Sequence, residues 1–171
     1  MKFLAAVLFL FLSFNSYSQV QYEVSKDPQN GLKTLKGILS RDLLLNDADF
    51  AWMKNDISWY KPNADCVANL TAVKDTVQLM VFVGTWCEDS QIVFPQLLKM
   101  LDQVGFNMKR LTVIGIDRQK TTLGSLTQAL GVTKAPTIMV LKGGKEIGRV
   151  EEFGKYGVYD QELAEVLAKA K

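Results

Sequence analysis

The chain has 171 residues, a net charge of +2 and no histidine. The missing imidazole excludes Ser–His and Cys–His nucleophilic pairs and removes the commonest metal ligand; the mixing of lysines with acids leaves no basic stripe for a nucleic acid. Cys66 and Cys87 are the only thiols, and a zinc site would have to complete its shell with carboxylates, so no metal is expected.

Residues 1–18 read as a signal peptide for export. Lys2 precedes the apolar run Phe3 to Leu12, and Ser16-Tyr17-Ser18 puts small residues at the two positions a signal peptidase inspects. The run is too short to span a bilayer comfortably. The alternative is an uncleaved anchor or a buried N-terminal helix. Cleavage predicts a secreted or periplasmic protein with no stable membrane anchor, in a compartment where thiols can pair.

Gln19 to Asn30 reads as irregular, and Thr34 to Leu39 as a short strand. Ser40 is a plausible helix cap, and apolar residues recur at three- and four-residue spacing from Leu44 through Phe50, Met53 and Ile57 to Tyr60. Trp52 and Trp59 fall on one side of that helix, as core packing or as a groove. A second helix, Ala64 to Lys74, puts Cys66, Leu70 and Val73 near one stripe. Residues 19–65 therefore read as a mostly helical N-terminal extension, and 66–171 as the main domain.

From Val77 the pattern changes. Val77 to Val83 is a near-continuous apolar run, suited to a strand buried on both faces. Gly84-Thr85-Trp86 is a turn, and Cys87 opens a helix to Val104 that contains Pro95. Arg110 to Ile116 is a second buried strand, and Thr121 to Leu130 a helix. Pro136 to Leu141 and Glu146 to Val150 are strands joined by a turn at Gly143-Gly144, and Asp160 caps a last helix. The order β-α-β-α-β-β-α predicts an α/β fold, a mixed central sheet flanked by helices.

Trp86-Cys87-Glu88-Asp89-Ser90 at the end of the first buried strand, Pro95 eight positions after Cys87, and Ala135-Pro136-Thr137 opening the next-to-last strand together resemble the thioredoxin-like superfamily. The likeness covers about residues 70–171, and residues 19–65 more weakly resemble the extension of exported bacterial thioredoxin-like proteins. The resemblance implies a thioredoxin-like fold, no cofactor, and Cys87 as a catalytic thiol acting on a protein disulfide or a small thiol. It implies that Pro136 is cis, and that Trp86, Ala135 and Pro136 shape the substrate groove. Two departures stand out. Ser90 replaces the second motif cysteine, so no disulfide forms within the motif, and Val81 stands where thioredoxins carry a buried acid.

A helix N-terminus favours a thiolate at Cys87, and the Ser90 hydroxyl could donate to it; the charges of Glu88 and Asp89 oppose it. Cys66 has two readings, as a resolving thiol for Cys87 or as a core residue beside Leu70. Function has two readings as well. One is a monothiol oxidoreductase working through mixed disulfides; the other is a redox-inactive peptide-binding or scaffold module on the same fold.

Overall fold

The computed structural model describes residues 21–171. The signal-peptide expectation lies outside those residues. Strands β1 (Tyr22–Lys26), β2 (Lys33–Leu39), β3 (Val77–Val83), β4 (Leu111–Gly115), β5 (Thr137–Lys142) and β6 (Lys145–Glu151) form one sheet in the order β1-β2-β4-β3-β5-β6. β3 and β4 run parallel, and every other neighbouring pair is antiparallel. Helices α1 (Arg41–Asn46), α2 (Ala64–Val73), α3 (Glu88–Val104), α4 (Leu126–Ala129) and α5 (Tyr159–Ala168) complete the α/β architecture. This is the mixed, helix-flanked sheet expected of a thioredoxin-like fold.

Side chains alternate across a strand, and the central strands use both faces. Leu79, Val81 and Val83 of β3 join Ile138 and Val140 of β5 in the larger core, beneath α2, α3 and α5. Phe82 and Met139 point the other way, into a smaller cluster with Trp86, Ile114, Ile116, Val132 and Ala135. Cys66 belongs to the first cluster, and Cys87 packs against the second. In α3 the apolar face of Val93, Phe94, Leu97 and Leu101 is fully buried; truncating Phe94 to alanine would cost about 3–5 kcal/mol. The helix runs on through Pro95. At the β5–β6 turn, Gly143 and Gly144 have φ of 58° and 77°, which only glycine adopts freely.

Residues 21–65 differ from the mostly helical extension expected. They contribute the hairpin β1–β2, whose second strand pairs with β4 in the shared sheet. The single helix expected from Ser40 to Tyr60 is divided. Ser40 does cap α1, accepting from Leu43 N at 3.1 Å. Asp47 then leaves helical geometry and caps a 3-10 segment, Ala48–Lys54. A side chain that hydrogen-bonds its own backbone competes with the helix, which is why the apolar spacing misled. Trp52 is buried, whereas Trp59 is 67% exposed. The helix expected from Thr121 shrinks to α4, and Val158 rather than Asp160 precedes α5. Asp160 is instead buried, accepting from Tyr60 Oη at 2.7 Å and Asn63 N at 2.9 Å.

Two pH limbs follow from the buried groups. Burial, aided by the Asp160 charge, pushes the Cys66 thiol up to about 12 from an ordinary 9.0. The fold thus holds the neutral thiol, and that contribution is lost as pH climbs from 9.0 toward about 12. The urea midpoint of Cys66→Ala should fall less steeply than that of wild type over this range; parallel profiles would refute the assignment. At the acid end, hydrogen bonds from Arg118 hold Asp27 down at about 2 against an ordinary 3.8. Its stabilisation is complete above 3.8 and is lost as pH falls toward about 2, so Asp27→Asn should flatten the acid limb.

Candidate functional site

The parallel pair β3–β4 lies at the centre of the sheet, and the turn after β3 leaves from the C-terminal end of that strand. Four residues make the turn: Cys87 N donates to Gly84 O at 2.9 Å. Glycine is required at 84, because a Cβ there would lie 2.8 Å from the Trp86 ring. Cys87 occupies the N-cap position of α3, with φ −100° and ψ 122° and no side-chain cap. The first amides of α3 are thus without a capping partner, and they face the end of the helix where an anion is favoured.

Cys87 is half-buried and free. Its Sγ donates to the carbonyl of Ala135 at 3.3 Å. The Ala135–Pro136 bond is cis, as the resemblance implied. The Pro136 carbonyl accepts from Glu152 N at 2.7 Å, and Thr137 Oγ1 donates to Lys134 O at 2.9 Å, so the loop carrying Ala135 is fixed on both sides. The amide of Ala135 has no hydrogen-bond partner among the described residues.

Ser90 plays a different part from the one expected. It is fully buried, and its oxygen accepts from Gly84 N at 3.1 Å. It staples the turn from beneath and makes no hydrogen bond to Cys87. Cys66 is also fully buried, among the residues beneath α2 and α5, and unpaired. A resolving role would require it to leave the core on the opposite face of the sheet from Cys87; the structure supports the core reading of this residue. Val81 is buried in apolar surroundings.

Trp86 is only 5% exposed. Its Nε1 donates to Ile116 O at 2.8 Å, and the Arg118 guanidinium lies over the ring at 4.3 Å, with Lys120 Nζ at 5.1 Å. What faces solvent here is two cations rather than the indole expected to line a groove. Arg118 does not pair with its neighbour Asp117. Its Nε and Nη2 fork onto Asp27 at 2.8 and 2.9 Å.

Acids gather on the other side. Glu88 and Asp89 open α3, and burial, then the charges of Glu152 and Glu88, raise the Asp89 carboxyl above its ordinary value. Asp89 also lines an open cavity of about 610 Å³ with Lys134, Glu151, Glu152 and Lys155. Lys134 is paired there with Glu152 at 3.4 Å. No group of three or more His, Cys, Asp or Glu among the described residues is arranged to hold a metal. None of the described helices is long and apolar enough to cross a membrane.

Sequence reasoning missed Asp27, Asn30, Thr85 and Gln91 as parts of this site. Gln91 Nε2 donates to Thr85 O at 2.9 Å, and Asn30 Nδ2 to Trp86 O at 3.0 Å. Only Gln91 had a local signal, at one helical turn from Cys87.

Neither a protein-family model nor a curated protein matches the chain. Among solved structures it is similar to thioredoxin of Fasciola hepatica, at 18% identity and a TM-score of 0.41 over 60% of this chain and 88% of that one. It is also similar to oxidised thioredoxin O2 of Arabidopsis thaliana, at 19% identity and a TM-score of 0.39 over 61% and 87% of the two chains.

Proposed function

We propose that the protein is an exported thiol–disulfide oxidoreductase that works through Cys87 alone. The observation behind this reading is the position of Cys87 Sγ, half-buried at an uncapped helix N-terminus and 3.3 Å from the Ala135 carbonyl beside cis Pro136. The export rests on the signal-like pattern of residues 1–18.

The chemistry proceeds in two exchanges. The Cys87 thiolate attacks one sulfur of a substrate disulfide; a new S–S bond forms to Cys87, and the other substrate sulfur leaves as a thiolate. A second thiolate, supplied by a small thiol or by the substrate itself, then attacks the mixed disulfide and releases Cys87. The resolving thiol comes from outside because Ser90 carries no sulfur and Cys66 is enclosed. Local residues favour the first step. The amides of α3 stabilise the attacking anion, and the free amide of Ala135 is available to a carbonyl of an extended substrate segment, with the Ala135 carbonyl released once the thiol ionises.

In an insulin-reduction assay driven by a small thiol, wild type should accelerate precipitation and Cys87→Ser should not. Equal rates would reject the redox reading and leave the cleft as a peptide-binding surface. Cys66→Ala should keep wild-type turnover; its loss would restore Cys66 as the resolving thiol. Asp89→Asn removes an opposing charge two residues from the sulfur, and should speed iodoacetamide alkylation of Cys87 at neutral pH by about two- to threefold. An unchanged or slower rate would show that this carboxylate does not oppose the thiolate.

A further inference from the structure

The hairpin β1–β2 lies far from Cys87 in sequence, yet its loop converges on the residue before it. Asp27 sits at the start of that loop, 3% exposed, with both oxygens engaged. One arm of its bonding runs within the loop: Oδ1 accepts from Gln29 N and Asn30 N, each at 3.0 Å, which sets Asn30 to donate to the Trp86 carbonyl at 3.0 Å. The other arm is the Arg118 fork, which holds the guanidinium over the Trp86 ring at 4.3 Å. Both arms end on Trp86, one on its backbone and one on its side chain. The following strand adds a third tie. Leu35 N donates to Thr85 Oγ1 at 3.2 Å, and that hydroxyl donates to Lys33 O at 2.8 Å.

The geometry matters at the peptide joining Trp86 to Cys87. Its oxygen is held by Asn30, and its N–H, which belongs to Cys87, is held by Gly84 O at 2.9 Å. With both ends of the plane fixed, the only freedom left to the sulfur is rotation about the Cys87 backbone and side-chain bonds. Residues 88 onward are locked in α3, and Ser90 anchors the turn from below.

We propose that Asp27 and Asn30, with Arg118 held by Asp27, are positioning residues for Cys87, and that the β1–β2 hairpin is a working part of the exchange site. The inference rests on Cys87 being a reactive thiol. A sulfur attacking a disulfide must approach along the S–S axis, so the direction of Sγ governs its rate, and small misplacements are costly. Asn30 is exposed, so its substitution leaves the core intact.

The test uses the full chain as purified, with a neutral pyridyl disulfide as probe and peptide mass spectrometry reading each cysteine separately. Cys66, fully buried, reports loosening of the fold. Asn30→Ala and Asp27→Asn should each slow mixed-disulfide formation at Cys87 by about fivefold, with Cys66 unmodified. Tyr60→Phe, which removes a hydroxyl bonded to Tyr159 and Asp160 away from the turn, should leave the Cys87 rate at the wild-type level. Wild-type rates at Cys87 in Asn30→Ala would overturn the inference while leaving the redox reading standing. So would faster labelling of both cysteines in the hairpin variants, the mark of a merely structural role. An unreactive Cys87 in wild type would overturn both.

Discussion

A buried turn must satisfy its backbone polar groups, and in this protein that requirement fixes the site. Gly84, Thr85 and Trp86 are all buried, and partners inside the protein hold the Gly84 amide, the Thr85 and Trp86 carbonyls and the Thr85 hydroxyl. The partners come from separate parts of the chain: Ser90 and Gln91 on α3, and Asn30 and the backbone of β2 on the N-terminal hairpin. Cys87, the next residue, is the point where the chain reaches solvent. Its environment is set by neighbours that have little freedom to move.

The charges around that point are divided. Arg118 and Lys120 cover the Trp86 side, while Glu88, Asp89 and Glu152 lie toward the cavity beyond the cis proline. The Arg118 fork onto Asp27 uses Nε and Nη2, so the guanidinium keeps its charge and its orientation over the indole. The division is partial, because Arg118 is forked onto Asp27, and Lys134, Arg149 and Lys155 stand among the acids of the cavity.

Much of the central sheet was legible because its signals are local. Val77 to Val83 reads as a buried strand from its own residues, and Gly143-Gly144 gives a hairpin because the turn needs positive φ. Trp86-Cys87 and Ala135-Pro136 were legible as a pair through their order and spacing. The N-terminal region was less so. β1 is an edge strand with four of its five residues exposed, and it leaves no apolar alternation to detect. Apolar spacing from Leu44 to Tyr60 suggested one helix, but Asp47 bonds to Asp49 N and to Lys33 and ends it. The site's second layer depends on contacts across long stretches of sequence. Asp27 and Arg118 are 91 positions apart, and Asn30 and Trp86 are 56 apart; nothing beside either residue announces the partner.

Ser90 explains how the fold accommodates the absent second thiol. Its hydroxyl lies where the chain needs an acceptor for the buried Gly84 amide, and oxygen accepts a hydrogen bond better than a thiol sulfur does. The position has become part of the scaffold under the turn. Val81 fits the same logic. It lies among the buried apolar residues of the larger core, where an unpaired carboxylate would be costly to bury. Ser90 and Val81 thus both serve as support on the interior side of the turn, and Cys87, half-buried, is the more accessible of the two thiols.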